Sequence, residues 1–472
     1  MAYGCAAAFG PGYTVEKQRV AVTYTQQAPD HVSVQASYSV KNTGTKPLSE
    51  LEIEPPYSEI IQPQELHVEW RGKLLEVPTP RLDSVDNSLH LPLERIWDVG
   101  ERGEFVISYD VKISPDLAAV GSDHRAAFFL PSSGWLPILL PAQGAFATGG
   151  APPQKWDLVV NVPEGYRVRA SGDNRGIDKK GNSKTEKRAG LLFEQRPGTN
   201  YDAFIAAGPY VEQEVRSSGG TVIFWTANPL SGKRSDELGK LVSSDASFYS
   251  TEFGADETKK SPIWLIECPE GASVLRERPW LSRTGCLTQP HSVVLPTEYL
   301  GATAPQDFTK SVDLQLAATW LYFSARPDRY GSLFPVAAIP DYAGVALAAS
   351  RNPASRSESI RTLLQRVDST PDEGKPLIRV DAKDSRELQD RTRAKSVLFF
   401  LALEDRCGAQ NVHKGIARAS RLLRGRTWGL PDLRSSVESE CGGPILEGFF
   451  REWMYGREIP AEFRGRYGAT GK

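Results

Sequence analysis

FIAAGPYVEQEVRSSGGTVIFW, Phe204 to Trp225, decides the fold, because the texture of the chain changes across it. Upstream, from Tyr13 to about Tyr210, short runs alternate apolar and polar residues: VSVQASYSV (Val32 to Val40), FVISYDVKI (Phe105 to Ile113) and WDLVVNV (Trp156 to Val162). Clusters of Gly, Pro, Asn and Asp separate them, so each run reads as an antiparallel strand with one buried and one wet face. Many such strands in a row make a β-sandwich. GDNRGIDKKGNSKTEKR, Gly172 to Arg188, is expected as a charged, solvated loop between two of them. Downstream of Gly219, TVIFW and PIWLIECP read as buried strands, and SDELGKLVSSDASFYSTEFG between them carries apolar residues at helical spacing, an α/β unit. After Asp307 helices are expected in succession: SVDLQLAATWLYFSA, PDYAGVALAAS, SESIRTLLQRV, DRTRAKSVLFFLALEDR, NVHKGIARASRLLR and SSVESECGGPILEGFFREWMYG. Asp or Ser stands near several of their starts and Gly or Pro near several ends, as capping requires.

The bulk properties agree with a folded, multidomain chain. It has 472 residues, 40% hydrophobic and 24% charged, and a formal net charge of −2. No global field attracts nucleic acid or an anionic membrane. The most apolar segment, Ala126 to Phe146, is interrupted by Pro131, Pro137 and Pro141, which excludes a membrane span. The N-terminal MAYGCAAAFGPGY lacks the charged start and apolar run of a signal peptide. Cys5, Cys268, Cys286, Cys407 and Cys441 show no CxxC spacing and no His-rich neighbourhood, which argues against a zinc cluster. Local disulfides Cys268–Cys286 and Cys407–Cys441 in an oxidising compartment stand beside the alternative of four inert buried thiols.

Three stretches carry a resemblance. Phe204 to Trp225 resembles the junction of the membrane alanyl aminopeptidase family, the gluzincin zinc peptidases, where the last sandwich strand passes into a thermolysin-like domain. TEFGADETKKSPIWLIECPE, Thr251 to Glu270, is similar to that family's helix ending in Phe-Gly before a strand, and GGPILEGFFREWMYGREIPAEF resembles its terminal Phe-Phe-x-x-Trp helix. The resemblance implies a tail over residues 1–12, a β-sandwich over 13–215, the mixed α/β part of a thermolysin-like domain over 216–306 and its helical part over 307–472.

The family's chemistry needs His-Glu-x-x-His on one helix, two imidazoles on one face for zinc with the Glu as general base, and a Glu from a second helix as third ligand. Here the matching helix reads Leu314-Gln315-Leu316-Ala317-Ala318-Thr319-Trp320. Leu314 and Ala318 have no electron pair for a metal, and the Gln315 amide takes no proton from water at neutral pH. IPDYAGVA places Asp341 where the third ligand belongs, with a longer interval that implies an insertion around residues 326–332. In RTRAKSVLFFL, Arg391 stands at the position of the tyrosine that stabilises an oxyanion. TGCLTQPHSVVL replaces the strand that anchors a substrate's amino terminus. None of the six histidines forms a close pair that could substitute.

The expectation is therefore an aminopeptidase-family pseudopeptidase, with no cofactor and no metal, that binds a peptide or protein partner or serves as a scaffold outside the cytoplasm, periplasmic or extracellular. The rival is a hydrolase that reuses the degenerate cleft, with Asp341 and Gln315, in metal-independent chemistry. Asp341 is expected either to pair with Arg391 or another arginine or to cap its helix. Arg418, Arg421 and Arg424 offer either a basic docking face or the solvated side of an amphipathic helix. Trp135 is a partner-binding candidate or a packed tryptophan.

Overall fold

The structure, a computed structural model, describes residues 12–24, 31–54, 61–77, 89–113, 127–129, 136, 138–139, 155–177, 188–194, 204–217, 220–254, 262–268, 292–300, 312–317, 326–327, 338–370, 374–380, 384–422, 427–443 and 446–468. The chain forms two compact units, one of Met1–Pro197, Tyr201–Tyr210 and Cys268–Gly271, the other of Gly198–Asn200, Val211–Glu267 and Ala272–Lys472.

The first unit is built of sheets, the largest with eight strands. Its spatial order is Asp173–Ile177, Arg188–Glu194, Lys155–Pro163, Tyr13–Tyr24, His31–Asn42, Arg102–Ile113, Ile61–Trp70 and Lys73–Leu74. Two alternating runs quoted above pair with each other, Val34 opposite Tyr109, Ala36 opposite Ile107 and Tyr38 opposite Phe105. Their buried residues all fall on one face, as a period of two requires. In Tyr13–Tyr24 the alternation slips once, at the irregularity between Val15 and Lys17, and resumes in the opposite phase. One pair departs from the antiparallel expectation: Tyr13–Tyr24 runs parallel to Lys155–Pro163. The two strands lie far apart in sequence, so no hairpin dictates their direction. Lys155–Pro163 is buried almost continuously, as a central strand covered on both faces should be. Part of the expected charged loop is also strand, since Asp173–Ile177 pairs with Arg188–Glu194. Trp97 anchors one end of the core, its ring centroid 5.0 Å from that of Trp70 and 5.7 Å from that of Tyr13. Gly103 has to be glycine there, because a Cβ would stand 2.1 Å from the Trp70 ring.

In the second unit, Val211–Ser217 pairs antiparallel with Gly220–Thr226 along its length, which places the division between Tyr210 and Val211. Gly220–Thr226 runs parallel to Ile263–Cys268, and helix α1 (Gly232–Glu252) makes the crossover. Ser231 caps α1 by accepting from the Arg234 N–H, and Leu238, Val242, Ala246 and Tyr249 form its buried stripe. Ser292–Pro296 is the last strand of this described sheet. The helices after it are α2 (Thr297–Leu300), α3 (residues 312–317), α4 (Ile339–Arg351), α5 (Ala354–Ser369), α6 (Arg386–Cys407), α7 (Ala409–Leu422), α8 (Leu430–Cys441), α9 (Glu447–Tyr455) and α10 (Ala461–Tyr467). The last expected helix is thus two. Gly442 takes the left-handed conformation that ends α8, with φ of 87°, and Gly443 follows at 140°. α6 is the axis of the lobe, with Leu398, Phe399, Phe400 and Leu401 all buried, so it is covered all round. Its C-terminus is tied to that of α8 by the Cys407–Cys441 disulfide, Cα atoms 5.4 Å apart. The expected partner bond Cys268–Cys286 lies outside the described side chains.

Candidate functional site

Helix α3 carries the residues matched above to the family's zinc-binding helix, and its polar side chains have definite partners. Gln315 is buried. Its Nε2 donates to the Val294 carbonyl and its Oε1 accepts from the Val294 N–H, both at 2.9 Å. In a β-ladder the N–H and C=O of one residue point the same way and those of its neighbours the other. Gln315 therefore occupies the side of Ser292–Pro296 turned away from Ile263–Cys268. Its amide acts as one peptide unit of an added strand, and both its polar atoms are used. Leu314, the preceding residue, is half-buried and has no donor atom. Ala318 lies outside the described residues.

Asp341 is in the first turn of α4, after Pro340, and does not cap the helix. Its carboxylate pairs with Arg393 Nε on α6, not with Arg391. Arg391 points elsewhere. It is 7% exposed and donates to the carbonyls of Val367 and Thr370 at the end of α5, and its Nη2 lies 3.7 Å from Glu458. That setting fastens the end of α5.

A zinc ion does not fit these side chains. Among the described residues, Leu314 supplies no ligand, the Gln315 oxygen is bonded to a backbone N–H, and Asp341 is neutralised by a guanidinium. Among the described residues no group of three or more His, Cys, Asp or Glu side chains could hold a metal.

One residue before Leu314, α3 contributes Asp313 to a buried acid pair that sequence reading did not pick out. Asp245 of α1 is fully buried and Asp313 nearly so, and the Arg351 guanidinium reaches both, with Nη1 3.2 Å from Asp313 Oδ2. Each acid keeps one buried oxygen that no other group serves. Burial, then the hydrogen bond to Asp245 and that neighbour's charge, push the Asp313 carboxyl up to about 8. Asp313 thus favours its protonated form near neutral pH, beside the Arg351 guanidinium. Tyr249 donates its hydroxyl to the Asp313 carbonyl at 3.0 Å, so α1, α3 and α4 meet at this point. The only sequence signal was an Asp inside the apolar stripe of α1.

A second polar cluster joins the lobe helices. Tyr342 donates to Glu404 Oε1 at 2.7 Å, Arg356 Nε donates to Glu404 Oε2 at 3.0 Å, and His413 Nδ1 lies 3.0 Å from Glu252. Of the basic candidates, Arg418 is engaged with Glu440 at 3.4 Å, Arg421 is exposed, and Arg424 lies outside the described residues. Trp135 lies outside them too.

No protein-family model matches the sequence, and no curated protein matches it. Solved structures do. The M1 zinc metallopeptidase from Deinococcus radiodurans aligns with a TM-score of 0.60 at 16% identity, over 95% of this chain and 95% of its own. A Glu-to-Ala variant of that peptidase bound to a Tyr-Ser-Ala substrate gives 0.61 at 16% identity, over 95% and 96%. A two-domain M1 zinc metallopeptidase variant bound to L-arginine gives 0.60 at 15%, over 95% of each chain. At such identities the likeness is one of architecture, and the chain has the fold of the M1 zinc metallopeptidases.

Proposed function

We propose that this chain is a pseudopeptidase, an aminopeptidase fold without a zinc centre that binds a peptide or protein partner, or scaffolds one, instead of cleaving it. The observation that carries the reading is the double hydrogen bond of Gln315 to Val294. At the position of the general base stands an amide that cannot accept a proton, and it is held against the sheet. Leu314 in place of a ligand and the Asp341–Arg393 pair support the same conclusion. The Tyr-Ser-Ala substrate of the Deinococcus radiodurans variant supports a peptide as the ligand class. The Cys407–Cys441 disulfide supports a periplasmic or extracellular location.

The test uses the full chain, purified, loaded with excess zinc and desalted. Elemental analysis should find well under one equivalent of zinc, and a panel of aminoacyl-coumarin amides should show no turnover that a chelator removes. One tightly held equivalent together with chelator-sensitive release would overturn the proposal. Turnover that ignores chelator and disappears in Asp341→Ala would instead establish the metal-independent hydrolase.

A further inference from the structure

The four-stranded sheet of the second unit ends in an edge whose outward-facing groups can be located. Val211–Ser217 is the terminal strand, and among the described residues only Gly220–Thr226 pairs with it. Ser217 stands opposite Gly220 across a two-residue connection, so these two exchange both backbone hydrogen bonds. Bonded and unbonded positions alternate along an antiparallel pair. Val215 and Gln213 are therefore the next bonded residues, and the N–H and C=O of Glu214 and Arg216 turn outward. Both of these residues are exposed, and Arg216 Nε donates to Glu214 Oε1 at 2.5 Å.

The two faces of this strand differ. Val215 points to the side of α1, where a Cβ on Gly239 would stand 2.8 Å from its Cγ1. Glu214 and Arg216 lie on the opposite face, as a period of two requires. α1 packs over both Val211–Ser217 and Gly220–Thr226, so its axis runs roughly 2.4 Å, about half a strand spacing, inside the edge. An identical unit joined edge to edge by a two-fold axis through the sheet would hold the two α1 axes about 10 Å apart, the spacing of packed helices.

We propose that this edge is a homodimer interface, in which Val211–Ser217 adds antiparallel to the same strand of a second copy, with Val215 facing Val215 of the partner subunit on the two-fold axis. That register sets Glu214 opposite Arg216 of the partner subunit, and Arg216 opposite the partner's Glu214, all on one face. Each of these pairs exchanges both outward backbone bonds. Charges on an edge strand oppose association when like meets like, but Glu-Val-Arg read antiparallel is its own complement, which singles out a second copy as the occupant. The neighbouring register, with Glu214 facing its own copy, sets two carboxylates against each other and is disfavoured. No residue of α3 or α4 takes part, so the proposal stands independently of the pseudopeptidase reading.

The experiment is sedimentation velocity of the full chain at physiological salt, from about 5 µM to about 1 mM. The seam is short, so a dimer with a dissociation constant on the order of 100 µM is expected. Glu214→Pro removes an outward N–H that the strand's own ladder does not use, and it should abolish the dimer while leaving the unfolding midpoint near that of the parent. Glu214→Arg and Arg216→Glu each bring like charges together and should weaken association at least about tenfold. The double variant carrying both substitutions exchanges the signs and should recover the parent's affinity to within about threefold. A parent that stays monomeric throughout, a dimer that survives Glu214→Pro, or a double variant as weak as the single ones would each overturn the proposal.

Discussion

Raising the pH should loosen α3 from α1 and α4, because Asp313 keeps its proton in the folded chain and loses it in the unfolded one. Its carboxyl moves from an ordinary 3.8 to about 8, through burial first, then the Asp245 hydrogen bond and charge, with Arg351 acting in the opposite direction. Below the lower value both states hold the proton, and the contribution of the pair to stability is complete. Between the two values only the folded state holds it, so stability falls with pH by about 1.4 kcal/mol per unit. Above the upper value both states have released it and the loss levels off. From pH 5 to pH 8 the change approaches about 4 kcal/mol. Asp313→Asn abolishes the titration and still presents an N–H to Asp245. Native-state hydrogen exchange, corrected for intrinsic rates and read in peptides covering residues 238–250 and 312–317, follows this junction by itself. The parent should lose opening free energy across that pH span, and the Asn variant should stay nearly flat. Parallel slopes in the two proteins, or a parent that gains protection with rising pH, would refute the raised Asp313 carboxyl.

Gln315→Glu removes the Nε2 donor and sets a carboxylate oxygen against the Val294 carbonyl, so unfolding should become easier by about 1–3 kcal/mol at neutral pH, measured by chemical denaturation. A variant as stable as the parent would mean that the amide clamp does not hold the strand. Cys407→Ser with Cys441→Ser opens a cross-link spanning 34 residues and should cost about 2–4 kcal/mol. Reductant should shift the denaturation midpoint of the parent to that of the double variant and leave the variant where it is.

What the sequence reveals and what it hides divide along a physical line. Periodic apolar patterns are local, and they placed α1, the strands Val32–Val40 and Phe105–Ile113, and most of the lobe helices. Polar contacts between distant residues carry no such period. Asp245 and Asp313 become a pair only when α1 and α3 meet, and each by itself is an ordinary aspartate in a helix. The same holds for the direction of Tyr13–Tyr24, which depends on a strand far along the chain.

The arginines of α6 make the point most sharply. Residues two apart on a helix face nearly opposite sides, so Arg391 and Arg393 cannot both reach Asp341. On an ordinary amphipathic helix the apolar stripe would reveal which of them turns inward. α6 is buried all round, so that stripe does not exist, and both arginines are buried. Only the packed structure separates them: Arg393 goes to Asp341 on α4, and Arg391 goes to the end of α5 and to Glu458. Which way each of these buried arginines turns is thus a choice made by packing and not by residue type.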